Sequence, residues 1–145
     1  MRITPVTDET FLQAAEVYTL SWRESHRGIC STEFLDSRDC SAYLRKRMEG
    51  LYLISDSIPV GVFRIKDGIL SDLYIHPAQM GKGYGSACVE YAQKHNRELR
   101  LTVLSSNQRA IRLYEKMSFR FTGQDIPLRN GLWEREMRYT EKRND

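Results

Sequence analysis

The sequence predicts an α/β (α+β) fold built on a mixed, mainly antiparallel sheet of about seven strands flanked by helices. Apolar runs of strand length recur between stretches whose apolar residues fall at helical spacing. Two of these runs are joined by Ser55-Asp56-Ser57-Ile58-Pro59, which has turn composition and reads as a hairpin. A third is followed by a glycine-rich turn, a helical stretch and another strand, which makes a βαβ unit inside the otherwise antiparallel sheet.

In chain order, Met1 to Val6 reads as a strand, and Thr7 or Asp8 caps a helix carrying Phe11, Leu12, Ala15, Val17, Tyr18 and Trp22 on its apolar side. Gly28 breaks that pattern. A second helix spans about Ser37 to Glu49, with Ser37 or Asp39 as cap, Tyr43, Leu44 and Met48 as its apolar side and Gly50 as its end. Strands follow at Leu51–Ile54, Val60–Ile65 and Ile69–Ile75, the last stopped by His76-Pro77. A helix from Lys82 to about Asn96 keeps Cys88, Tyr91 and Ala92 in period, and Leu99–Leu104 is a strand. Ser106 or Asn107 caps a helix through Met117, and strands near Phe119–Gly123 and Leu132–Tyr139 complete the sheet. Glu141 to Asp145 read as a frayed end.

A length of 145 residues with 41% hydrophobic composition fits one domain, residues 1–145, with its own core. No repeat or low-complexity run interrupts it. No apolar stretch approaches a membrane span, and polar residues follow Met1–Pro5 where a signal peptide would be apolar, so the expected location is the cytoplasm with no membrane partner. Net charge is +3 with both signs interspersed, which argues against a nucleic-acid face and is compatible with a polyanionic small molecule. Cys30, Cys40 and Cys88 are odd in number and widely spaced, so no zinc site is expected and the thiols read as structural. His26, His76 and His95 likewise lack ligand spacing, and the expectation is no metal.

The chemistry concentrates in Met80-Gly81-Lys82-Gly83-Tyr84-Gly85-Ser86, which follows a strand and opens a helix. Glycines let backbone N–H groups approach a ligand, and the helix start adds free amides and its positive dipole end, so the turn suits a pyrophosphate. A P-loop would require Ser or Thr after Lys82, where Gly83 stands. A dinucleotide fold would require G-x-G-x-x-G and an acidic residue ending the next strand, which ends in Leu104-Ser105-Ser106.

Leu73-Tyr74-Ile75-His76-Pro77-Ala78-Gln79-Met80-Gly81-Lys82-Gly83-Tyr84-Gly85-Ser86 resembles the acyl-CoA motif R/Q-x-x-G-x-G/A of the GNAT superfamily of N-acetyltransferases. It departs at Met80, where the family has Arg or Gln, with Gln79 one place early. A second segment, Asn107 to Phe119, is similar to the family's later motif of Asn, Ala-Ile, Leu-Tyr-Glu-Lys and Gly-Phe, with Ser118 replacing the glycine. Asn107 and Tyr114 fall on one helical face.

The resemblance covers about Leu51 to Phe119 and implies a V-shaped opening between a splayed central pair of parallel strands. It implies acetyl-CoA as co-substrate, transfer of its acetyl group to a small-molecule or peptide amine by direct attack, and a soluble protein for which a homodimer is compatible. Leu73, Tyr74 and Ile75 would pair with the pantetheine arm through main-chain groups. Gly81, Lys82, Gly83, Tyr84, Gly85 and Ser86 would hold the pyrophosphate, and Asn107 would contact the arm. Lys82, Arg109, Arg112 and Lys116 are candidates for the ribose phosphate. A main-chain N–H at Ile75 would polarise the thioester carbonyl, a role worth roughly 3 kcal/mol, and Tyr114 would protonate the leaving thiolate. Where family members place a carboxylate base this chain has Ser71 and Thr102, leaving Asp72, Glu24 and His26 as alternatives. Trp22, Glu24, His26 and Ser71 are the candidates for the acceptor side, although Trp22, Tyr18 and Tyr43 also suit a core. The non-enzyme alternative, a module that binds coenzyme A or a protein without turnover, is disfavoured by the presence of Asn107 and Tyr114.

Overall fold

The computed structural model describes residues 1–142, and for Asn130 the backbone alone. Of the end expected to fray, Glu141 is tied down, its N–H donating to the Arg97 carbonyl at 2.7 Å, and the part from Arg143 on lies outside the described residues. Seven strands form one sheet in the order β1-β2-β3-β4-β5-β7-β6. In chain order they are β1 (Arg2–Pro5), β2 (Leu51–Asp56), β3 (Ile58–Lys66), β4 (Ile69–Ile75), β5 (Glu98–Leu104), β6 (Arg120–Pro127) and β7 (Trp133–Thr140). The parallel step required by the βαβ reading is present, with Ile69 of β4 opposite Arg100 of β5. By packing, the chain forms two compact units, one of Met1–Arg64 with Asp72–Gly85 and the other of Ile65–Ser71 with the chain from Ser86 onward. Strand β4 passes from the second to the first at Asp72, a non-glycine residue held in the left-handed region at φ 53°.

In the first unit, β1 pairs antiparallel with β2, and β2 with β3. Helix α1 (Phe11–His26) buries Phe11, Ala14, Ala15, Tyr18 and Trp22 along one stripe, whereas Leu12, expected on that side, is exposed one position off it. These pack with Leu44, Leu51, Leu53 and Val62 into the core. Neither Thr7 nor Asp8 caps α1. Thr10 is the N-cap residue, and its hydroxyl instead accepts from the Thr7 N–H at 3.0 Å, so a turn precedes the helix.

The single helix expected over Ser37–Glu49 is replaced by two short ones, α2 (Thr32–Ser37) and α3 (Cys40–Arg45). Each starts at its own side-chain cap: Ser31 accepts from the Phe34 N–H, and Asp39 from the Ala42 N–H. Arg38 and Asp39 are extended between them. The β2–β3 turn is tighter than expected, because Ser57 alone takes a left-handed φ of 65°. Pro59 lies inside β3 opposite Ser55, beside a register shift where a residue without an N–H is tolerated.

Helix α4 (Tyr84–His95), in the second unit from Ser86 onward, begins two residues later than Lys82, because Gly81 and Gly83 are both left-handed. Strand β5 alternates buried Leu99, Leu101 and Val103 with exposed Glu98, Arg100 and Thr102, the signature of one covered face. Helix α5 (Gln108–Lys116) buries Ile111 and Tyr114. Strand β6 continues past its expected end at Gly123, since that glycine (φ 89°) sits in an irregularity of the β6–β7 register and does not stop the strand. No described helix is long and apolar enough to cross a membrane.

Candidate active site

In the first unit, β4 stands in the middle of the sheet order, yet Leu73, Tyr74 and Ile75 are each only partly buried. Its neighbour β3 is sealed at Val60, Val62 and Phe63. Such incomplete cover leaves this part of a central strand accessible to a ligand. Gly61 of β3 sets how closely β4 lies: a Cβ there would sit 2.8 Å from the Tyr74 carbonyl and 2.6 Å from Ile75 Cδ1. An isolated glycine inside an apolar strand run was the available signal for this close approach. The His76 N–H donates to the Val60 carbonyl at 2.7 Å. The His76 ring accepts from the Ala78 N–H at 3.0 Å and so caps the 3₁₀ turn Pro77–Gln79, a structural use of that histidine.

The glycine turn follows directly. Gly81 (φ 81°) and Gly83 (φ 87°) bracket Lys82, and all three are exposed. A Cβ on Gly83 would meet nothing within 4 Å, so the glycine is required by its backbone angle and not by crowding. Lys82 Nζ donates to Gln79 Oε1 at 2.9 Å, and the Tyr84 hydroxyl donates to Asp56 Oδ2 at 2.6 Å. These two bonds hold the Lys82 and Tyr84 side chains of the turn. Gly85 and Ser86 lie in the first turn of α4. The turn and the half-open β4 therefore suit an elongated ligand carrying a pyrophosphate.

Beside β4, α1 and α3 supply an aromatic and charged layer that sequence reasoning did not assemble. Tyr18 stacks on Tyr43 and meets Tyr74 edge-on at 5.1 Å. Asp72, its side chain only 8% exposed, accepts from the Tyr43 hydroxyl at 2.9 Å and from Arg47 Nε at 3.0 Å. Burial first, then the Asp72 charge, raises the Tyr43 phenol above its ordinary value. Arg38 lies over Trp22 and Tyr43 and donates to the Tyr18 hydroxyl at 2.8 Å. Trp22 is buried and carries His26 stacked at 4.4 Å, whose Nδ1 lies 2.8 Å from the Trp22 carbonyl. Burial lowers the His26 pKa, with the Arg38 charge adding to the shift against the backbone hydrogen bond.

Of the three alternatives for a base, Glu24 is taken up in a surface pair with Arg27 at 3.0 Å. Both Asp72 oxygens face donors, and His26 is biased toward its neutral form. The sequence carries no local sign of this layer, because Arg38, Arg47, Tyr43 and Asp72 come from three separate segments.

In the second unit, Asn107 caps α5 by accepting from the Ala110 N–H at 3.1 Å, which leaves its amide N–H groups for other partners. Two turns on, Tyr114 is buried, with its ring 5.7 Å from that of Phe119. Its hydroxyl has no hydrogen-bond partner among the described residues, yet it is not sealed from solvent. Burial, helped by Cys88, pushes the phenol up to about 12, so it is a proton-bearing group throughout the physiological range. Arg109, Arg112 and Lys116 are exposed on the same helix. Ser71 is half-buried in β4, and Thr102 lies on the exposed face of β5.

Residues 14–119 match the model of the acetyltransferase (GNAT) family. Among solved structures, the chain is similar to the apo form of YjaB from Escherichia coli, at 21% identity and a TM-score of 0.75 over 98% of this chain and 100% of that one. It is also similar to the PaiA N-acetyltransferase from Thermoplasma acidophilum in complex with coenzyme A, at 19% identity and a TM-score of 0.71 over 96% and 98% of the two chains. A third is yncA from Salmonella typhimurium, a putative acetyltransferase with its cofactor acetyl-CoA, at 20% identity and a TM-score of 0.65 over 100% and 96%. No curated protein matches the chain. The family model spans most of the sequence, including both motifs read above, and the chain belongs to the GNAT acetyltransferase family.

Proposed function

We propose that the protein is an N-acetyltransferase that moves the acetyl group of acetyl-CoA to a primary amine by direct attack within a ternary complex. The observation that carries this is the open, left-handed glycine turn at Gly81 and Gly83 directly after a half-exposed β4. Family membership supplies the general chemistry of acyl transfer. In this reading the amides from Gly81 to Ser86 hold the pyrophosphate, with Lys82 and Tyr84 steadied by Gln79 and Asp56. The main chain of Leu73, Tyr74 and Ile75 binds the pantetheine arm, and the amide of Asn107 adds a contact to it.

The neutral amine attacks the thioester carbonyl, forming the C–N bond and a tetrahedral oxyanion, which the main-chain N–H at Ile75 stabilises. Collapse breaks the C–S bond while the Tyr114 hydroxyl donates a hydrogen bond to the departing sulfur, and the proton lost by the amine passes through water to the thiolate, which leaves as the thiol. With a phenol near 12 and a thiol of ordinary pKa about 8.5, full transfer is uphill, so Tyr114 contributes mainly as a hydrogen-bond donor to charge developing on sulfur.

Ser71 and Thr102 cannot accept a proton at neutral pH, and among Glu24, Asp72 and His26 the neutral imidazole of His26, its pKa lowered by burial, is only a weak base. An amine of low pKa, such as a peptide α-amino group near 8, is therefore favoured over a lysine-type amine near 10.4, which costs roughly 4 to 5 kcal/mol to deprotonate at pH 7. The test is amine-dependent thiol release from acetyl-CoA across a panel of amines. Release that follows the amine supports transfer, and binding of coenzyme A with no release on any amine would leave only a binding module.

A further inference from the structure

We propose that Arg38 is the anion subsite of the acceptor and that the amine this protein acetylates carries a carboxylate. The proposal rests on the acetyltransferase reading above. Arg38 is half-buried in an aromatic box: its guanidinium lies 4.1 Å from the Trp22 ring centroid, 4.5 Å from Tyr43 and 5.7 Å from Tyr18. Its one hydrogen bond within the described residues is to the Tyr18 hydroxyl, and none of their carboxylates closes an ion pair with it. A guanidinium has five N–H donors in a planar fork, so most remain unused here.

The neighbouring charges make the excess plain. Asp72, the acidic group of this layer, is already met by Arg47 and by the Tyr43 hydroxyl. The Asp39 carboxylate next in the chain is exposed and caps α3 at the Ala42 N–H, so Arg38 is left without an ion pair in a partly desolvated site, where aromatic faces offset only part of the cost of removing it from water. The box adjoins β4, since Tyr74 packs edge-on against Tyr18 and Asp72 bonds Tyr43. Tyr74 belongs to the segment assigned to the pantetheine arm. A carboxylate on Arg38 would be bound by a bidentate, charge-assisted pair and would hold the rest of the acceptor beside that strand.

A guanidinium serving only to glue α1 to the α2–α3 connection would be indifferent to the acceptor's charge, and this separates the two roles. The probes are a dipeptide and its C-terminal amide, which share a low-pKa α-amino group and differ in the carboxylate. Binding of each to the protein with coenzyme A is measured by calorimetry, and kcat/KM of each with acetyl-CoA by thiol release, in the parent, Arg38→Gln and Arg38→Lys.

The parent should favour the acid over the amide by about 10- to 100-fold, the usual worth of a hydrogen-bonded charge pair. The ratio should fall to near one in Arg38→Gln and recover in part in Arg38→Lys, whatever the absolute rates. A parent that treats acid and amide alike, or an Arg38→Gln that keeps the preference, overturns the subsite. The parent's own ratio decides the matter even where the Gln variant fails to fold. Acid-selective binding without turnover would overturn the catalytic reading and leave the subsite standing, whereas turnover of both probes at equal rates would do the reverse.

Discussion

Replacing Gly61 by alanine puts a methyl carbon 2.6 Å from Ile75 Cδ1, 2.8 Å from the Tyr74 carbonyl oxygen and 3.1 Å from Ile54 Cγ2. Unstrained carbon contacts lie near 3.5 to 4.0 Å. The Ile75 tip can rotate away, but the Tyr74 carbonyl is backbone, and relieving that overlap requires β4 itself to shift. Overpacking of this kind costs about 1 to 3 kcal/mol, which for a chain of this size lowers Tm by roughly 2 to 4 °C per kcal/mol. Because the displaced carbonyl belongs to the segment assigned to the pantetheine arm, affinity for coenzyme A should fall as well, by about tenfold, or ~1.4 kcal/mol. The assay is calorimetric unfolding together with coenzyme A titration of Gly61→Ala and of Val62→Ala. Val62 is fully buried on the same strand, and its truncation loses packing without pressing on β4. Both variants should lose Tm, and only Gly61→Ala should lose affinity. A Gly61→Ala protein as stable as the parent, or equal weakening of coenzyme A binding in both variants, would refute the assignment of β4 to the arm.

Ser118 is exposed and left-handed (φ 73°) just after α5, at the place where the later family motif has glycine, so Ser118→Gly should raise stability by about 1 kcal/mol and Tm by a few degrees. An unchanged or lower Tm would show that the serine costs nothing there. Tyr114→Phe should lower kcat by on the order of 10²-fold with coenzyme A affinity nearly unchanged, and the parent should show no alkaline loss of activity from this residue below about pH 11. Equal kcat in the two proteins would remove Tyr114 from the reaction. His26 has its folded pKa below the unfolded value, so the unfolded chain binds the proton more readily. The stability this contributes is present above about pH 6.5 and lost as pH falls through the lowered value. Tm between pH 7 and pH 5 should therefore drop less steeply in His26→Gln than in the parent, and parallel curves would contradict the shift.

The parts legible in the sequence are those encoded by neighbours along the chain. Alternation in Leu99 to Leu104, the spacing of apolar residues in α1, the glycines before α4 and the Asn107 cap each carry a local physical signature, and each has its counterpart in the structure. Two differences between sequence and structure are also local. The α2–α3 break leaves no signal in the sequence, because two short helices with separate caps, Ser31 and Asp39, lack the length over which helical period can be seen. Gly123 looked like a stop because a glycine in a bulge and a glycine at a strand end read the same in sequence. The Arg38 box and the Asp72 pairing are of another kind. Trp22, Arg38, Tyr43, Arg47 and Asp72 meet only through tertiary packing, and the left-handed backbone at Asp72 has no sequence marker beyond aspartate's tolerance for it.

The most direct test of the central claim follows the acetyl group itself. Acetyl-CoA carrying an isotopic label in the acetyl carbons is incubated with the protein and an α-amino acceptor, and the label is located by mass spectrometry while free thiol is counted. Transfer predicts one labelled N-acetyl product per thiol released, with both lost together when Gly83→Val disturbs the left-handed turn. Label recovered as acetate, or thiol release indifferent to the amine, would contradict it.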